Sequence, residues 1–360
     1  MYNQSEEWSA GTTSGSAYSG SYTFETTFNG STTGNGASAA TNNGNDYQIT
    51  LPSGVSIGSG VTVYVAAGQQ AANLWLNDRE VTMNALITTF TSSDLSGDTT
   101  LTKIGVDAGI QVVAVKCDGK LLVDDDVTPT NVPSIATTYR ANPNTGFSIV
   151  TATASSTSGA TMSIAHGLNA KPNFILGKDR ENGVGWAVYH SALGATKKLD
   201  LNGTDAAASN ANYWANTEPT SNVLYTNAAS WMYTNADTVF YVWSEVAGYS
   251  KFGTFEGNAS TNGPFVWCGF RPKWIMLKNI DTASRRWVML DNVRDPSNGP
   301  NNGALWANQD DAESVNNENN IDYLSNGFKL KCTNGNANES GDTFIFAAFA
   351  ESPFKYSNAR

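Results

Sequence analysis

The chain has 360 residues, enough for two or three domains with separate cores, which excludes a single small domain. Only 15% of its residues are charged, against about 25% in an average soluble protein, and the formal charge is −11. Such a chain lacks the cations that neutralise a phosphate backbone, so nucleic-acid binding is not expected; nor is membrane insertion, because no run of about 18 apolar residues exists.

The first twenty residues are polar, without the basic start and apolar stretch of an export signal, so a soluble chain assembled in a cytoplasm is expected. They read as an extended arm, residues 1–22, although Trp8, Tyr18, Tyr22 and Phe24 suggest that it packs onto something. Beyond it the periodicity is short. Runs of four to eight β-branched and aromatic residues alternate with Gly, Asn, Asp and Ser clusters, and no stretch keeps a helical stripe, so the fold class is all-β.

Strands are expected at 47–51, 61–66, 73–76, 80–83, 99–106, 112–117 and 120–123, enough for a jelly-roll-like β-sandwich over residues 23–127. The last two are joined by Asp118-Gly119, a pair suited to a type I′ turn, which needs positive φ at both central positions. Pro129 and Pro133 then break the pattern, and residues 128–145 read as a linker.

The remainder is a tandem repeat. Gly167-Leu168, Pro172, Phe174-Ile175-Leu176, Lys178, Trp186 and Val188 recur as Gly269-Phe270, Pro272, Trp274-Ile275-Met276, Lys278, Trp287 and Met289. Asp237-Thr238-Val239-Phe240-Tyr241 recurs as Asp342-Thr343-Phe344-Ile345-Phe346. A period of about a hundred residues exceeds a solenoid unit, so residues 146–250 and 251–360 are expected to be two antiparallel β-sandwich repeats.

Chemistry is sparse. Cys117, Cys268 and Cys332 are isolated, far from His166 and His190, which speaks against a zinc site and for core packing. His166 takes the place of Cys268 in the other repeat, and His190 falls near Asp291, so neither is expected to be a catalytic base. The clusters Asp124-Asp125-Asp126 and Asp310-Asp311 with Glu313 lack the spacing of a calcium loop and read as solvated strand ends. No phosphate-binding glycine loop is present. No catalytic residue, metal or cofactor is therefore expected. A surface of aromatic and amide side chains suits sugar stacking and hydroxyl bonding. Trp186 and Trp287 recur at matched strand positions and are expected in cores. Tyr213, Trp214, Trp231 and Trp306, in the irregular Asn-rich segments, are the expected glycan contacts.

The second half resembles a module of virion structural and tail-fibre proteins of tailed bacteriophages, especially marine and cyanobacterial ones. The residues that carry this are Gly167-Leu168, Pro172, 174–178, 186–190, 248–253, Gly269-Phe270, 272–278, 287–291, 326–328 and 343–354. Residues 27–31 and 115–124 of the first half look like phage fibre domains. The resemblance implies a non-enzymatic virion protein: a tail-fibre or host-adhesion subunit, or else a capsid decoration or head-fibre protein. Its implied partners are other virion proteins of tail or capsid and a host surface glycan, and its implied assembly is a homotrimer. A polysaccharide depolymerase is the alternative from the enzyme class, and a bacterial adhesin is disfavoured by the missing export signal.

Overall fold

The computed structural model describes residues 2–3, 7–18, 22–32, 36–38, 47–69, 73–107, 110–124, 131–300, 302–315 and 317–352. Among these residues the protein is all-β, and its three α-helices are single turns: α1 (Phe24–Thr27), α2 (Ala211–Trp214) and α3 (Gly335–Asn338). Among the described residues no helix is long and apolar enough to cross a membrane. The chain divides into two compact units, Met1–Ser134 and Ile135–Arg360.

The first unit holds β1 (Tyr2–Asn3), β2 (Thr12–Gly15), β3 (Tyr47–Ser56), β4 (Val61–Val65), β5 (Asn73–Leu76), β6 (Arg79–Thr82), β7 (Ile87–Phe90), β8 (Thr100–Val106), β9 (Val112–Cys117) and β10 (Lys120–Leu122). They form two five-stranded sheets, β1-β10-β9-β4-β7 and β2-β3-β8-β5-β6. Alternate residues of both, among them Ile49, Val63, Leu76, Ile104 and Val115, meet in one core. The β9-β10 hairpin has φ of +48° at Asp118 and +73° at Gly119, as a type I′ turn requires. The arm belongs to this sandwich. Trp8 is buried in its core and β2 pairs with β3, whereas Tyr18 is exposed. Strand β7 escapes the sequence reading, because Ile87 faces outward while Thr88 is buried, the reverse of the polarity that marks a half-buried strand.

The second unit begins earlier than the expected repeats. Residues 137–142, assigned from sequence to a linker, form β11 (Thr137–Asn142), paired along its whole length with β12 (Phe147–Thr153). Prolines at 133 and 143 bracket the strand and do not interrupt it. Residues 125–130, including Asp125, Asp126 and Pro129, lie outside the described residues.

The first repeat continues with β13 (Thr161–Ala165), β14 (Phe174–Asp179), β15 (Ala187–His190), β16 (Lys197–Asp200), β17 (Ala208–Ser209), β18 (Val223–Asn227) and β19 (Asp237–Trp243). The second has β20 (Ser250–Glu256), β21 (Phe265–Trp267), β22 (Pro272–Asn279), β23 (Val288–Asp291), β24 (Gly303–Trp306), β25 (Ser314–Val315), β26 (Ile321–Leu324), β27 (Gly327–Leu330) and β28 (Thr343–Ala350). The large sheets run β11-β12-β19-β14-β15-β16-β17 and β20-β28-β22-β23-β24-β25. Apart from the added β11 the order is the same. Small sheets, β13-β18 and β21-β27-β26, cover one face of each.

The two large sheets bury their other faces against each other. Phe174, Val188 and Leu199 of the first repeat meet Phe252, Met276, Trp287, Ile345 and Ala347 of the second. Phe174 stacks on Phe252 at 5.8 Å, and Trp287 Nε1 donates to Asp200 O at 3.1 Å. Lys278 is fully buried at this seam and donates to Arg285 O at 2.9 Å; burial lowers its pKa to about 8. A strand covered on both faces has no reason to alternate, which explains the unbroken apolar run of β28.

Candidate recognition surface

Both histidines are held in structural hydrogen bonds. His166 Nδ1 accepts the Leu168 N–H at 3.3 Å, and its Nε2–H donates to Thr220 O at 3.2 Å. His190 repeats the arrangement, accepting from Ala192 N and donating across the seam to Phe346 O, both at 3.2 Å. These bonds specify neutral imidazoles, and burial lowers both pKa values to about 4. The repeat explains their roles. Asp291 stands opposite Trp274 as His190 stands opposite Phe174, and Asp291 Oδ1 accepts the Val293 N–H at 3.1 Å. Cys268 N donates to Asn326 O at 2.9 Å, just as His166 N donates to Asn222 O at 3.2 Å.

The three thiols are buried, which pushes Cys117 and Cys268 up to about 12 and Cys332 to about 11. Asp311 pairs with Arg286 at 2.7 Å, and Glu313 pairs with Arg294. Asp124 Oδ1 accepts the Ser9 N–H at 2.8 Å. Among the described residues no cluster of His, Cys, Asp and Glu is placed to hold a metal ion.

The four aromatic residues expected at a glycan surface are in the cores instead. Tyr213, Trp214, Trp231 and Trp306 are 6%, 1%, 2% and 8% exposed. Their Asn-rich segments fold back over the large sheets. Asn210 caps α2 by accepting the Asn212 N–H at 2.9 Å, which aims Trp214 inward, and its Nε1 donates to Val188 O at 3.3 Å. Trp231 fits because β14 has a glycine beneath it. A Cβ on Gly177 would lie 2.7 Å from the Trp231 ring, whereas the second repeat fills its core from the same position with Leu277.

Trp186 departs from its expected role in the other direction. Its counterpart Trp287 is buried at the seam, but Trp186 is only half-buried and stacks on Tyr241 at 6.2 Å. The row continues from Tyr241 to Trp243 at 6.4 Å and from Trp243 to Phe147 at 5.0 Å, with interplanar angles of 29° and 32°. Strand register places these side chains on one face. Asn142, Phe147, Trp243 and Phe174 form one rung, and Arg140, Ile149, Tyr241 and Leu176 the next.

This strip is open because the two sheets are offset. Strand β20 lies over β14, so the face of β19, β12 and β11 extends past the edge of the second sheet. The register-equivalent positions in the second repeat, Phe252, Ala347 and Trp287, are buried at the seam. In the first repeat the same positions are Ile149, Tyr241 and Trp186, which are exposed or half-buried. Polar β11 borders the strip with Arg140 and Asn142. At the end of the same strands is a cleft of about 310 Å³ lined by Thr138, Thr151, Thr153, Arg180 and Asp237. Flat half-buried rings beside a cation, an amide and several hydroxyls can stack on the C–H face of a sugar and bond its hydroxyls. The sequence signal for the strip is the alternation of Phe147 with Ile149 and of Tyr241 with Trp243, which reads equally as core.

No curated protein and no solved structure matches the chain. The profile of a domain of unknown function, DUF7483, matches residues 124–353. That span takes in both repeats and β11, and the chain belongs to the DUF7483 family.

Proposed function

We propose that this protein is a non-catalytic surface subunit of a tailed-bacteriophage particle that contacts host glycan through the Trp186-Tyr241-Trp243-Phe147 strip. The observation that carries the reading is that Trp186 and Tyr241 are only half-buried where the other repeat buries Trp287 and Ala347 at its seam. The resemblance of the repeats to virion and fibre modules supplies the setting, and the low charge suits a particle exterior. The sandwich of the first unit is the part that docks on the particle, and the assembly is a trimer.

Tyr241→Ala and Arg140→Ala are the informative substitutions. Stacking is worth about 1 kcal/mol beyond buried area, so Tyr241→Ala should weaken adsorption to host cells or purified envelope polysaccharide by about fivefold. The melting temperature should stay within a few degrees of wild type. Unchanged adsorption by both variants would count against the strip. Incubation with the same polysaccharide should release no new reducing ends, and their appearance would favour a depolymerase. Immunogold label on the shell instead of the tail would favour capsid decoration.

A further inference from the structure

The second repeat carries its own exposed aromatic outcrop. Strand β21 is the edge of the small sheet; Val266 points into the core, and Phe265 and Trp267 point outward, 46% and 59% exposed. In the first repeat Ala165 pairs with Val223, and in the second Trp267 pairs with Gly327; His166 and Cys268, which follow, make the same backbone bond. Ala165 and Ser163 thus stand where Trp267 and Phe265 stand. The module folds without aromatic residues at these positions, so the fold itself does not call for them.

Trp267 is also held in place. Gly269 has φ of +80°, and a Cβ there would lie 3.1 Å from the indole, so the glycine lets the ring settle against the backbone. Lys251 Nζ stands 5.6 Å from the ring centroid and is fixed by Glu245 Oε1 at 2.7 Å. Glu245 Oε2 in turn accepts the Phe252 N–H at 3.3 Å. Beside the ring is a cleft of about 270 Å³ lined by Glu245, Gly248, Ser250, Lys251, Trp267 and Gly269. It offers an aromatic wall, an ammonium donor and a carboxylate acceptor. The ammonium and carboxylate cancel in charge.

We infer that the Trp267 cleft is a second carbohydrate-contact site, for a neutral pyranose whose C–H face stacks on the indole while its hydroxyls reach Lys251 and Glu245. The inference rests on the glycan-contact reading of the first repeat and extends it: one compact unit carries two sites of different construction. Two linked sites on one polymer gain avidity through effective concentration, so polymeric glycan should bind far more tightly than short fragments.

The test uses the full chain with 15N-labelled tryptophan and a printed array of bacterial O-antigen and capsular oligosaccharides, neutral and acidic. The tightest neutral oligosaccharide on the array is then titrated while the indole N–H signals are followed, with Trp267→Ala and Tyr241→Ala as assignments and controls. The expected result is movement of the Trp267 signal, and at least tenfold weaker binding of the parent polysaccharide by Trp267→Ala with no change in melting. Movement of the Trp186 and Trp243 signals alone, with full affinity in Trp267→Ala, would overturn this site and leave the first standing. If no array glycan bound and no indole moved, the glycan-contact reading would fall with it.

Discussion

Trp214→Ala will lower the unfolding free energy of the second unit by about 3 to 5 kcal/mol, the usual cost of emptying a large buried aromatic site. Trp186→Ala will cost about 1 kcal/mol or less, because a half-buried ring gives up far less apolar contact. Trp214 packs edge-on against Tyr189 at 5.7 Å and lies 6.1 Å from Trp231, and its loss leaves a cavity between α2 and the large sheet. The surrounding β14 and β15 are fixed on their far side by the second repeat, so the site cannot readily collapse. Urea unfolding of both variants, followed by circular dichroism, checks the contrast. Equal midpoint losses would show that the burial pattern of the first repeat is wrong.

The second large effect is loss of stability in mild acid. His166 and His190 have folded-state pKa values lowered to about 4 from the ordinary 6.5, chiefly by burial. A lowered pKa means that the unfolded chain binds the proton first, so stability is complete above about pH 6.5 and falls as pH drops toward 4. Each histidine contributes on the order of 3 kcal/mol across that window, by the conversion of about 1.4 kcal/mol per pKa unit. Protonation would also destroy the Nδ1 acceptor that each ring offers to an N–H two residues on. His190→Asn is the informative variant, because the equivalent Asp291 accepts the corresponding N–H with a side-chain oxygen. Its urea midpoint should vary between pH 7 and pH 4 with a visibly smaller slope than wild type. Parallel profiles would remove His190 from the account.

The same pair of histidines shows how a repeat helps to assign roles. Read alone, a histidine after a tryptophan-bearing strand invites a catalytic role. Its counterpart in the other copy, an aspartate making the same turn bond, identifies the job as closing a loop. The exchange of Gly177 plus Trp231 for Leu277 is a second case, in which one core volume is filled from a different element.

The sequence by itself determined the all-β class, the Asp118-Gly119 hairpin, most strands of the first sandwich and the duplication. These depend on local preferences: β-branched runs, a turn that tolerates positive φ, and order repeated along the chain. It also placed the cysteines in cores, since isolated apolar thiols have few other places to go. Only the tertiary structure decided which aromatic residues are outside. Trp186 and Trp287 occupy matched positions, yet one is half-open and the other buried, because two similar sheets pack face to face with an offset. Trp214 and Trp231 sit in polar segments, yet they are buried because those segments fold over the sheet. Exposure is set by which surfaces meet across distances of a hundred residues, and no local pattern in the chain encodes that meeting.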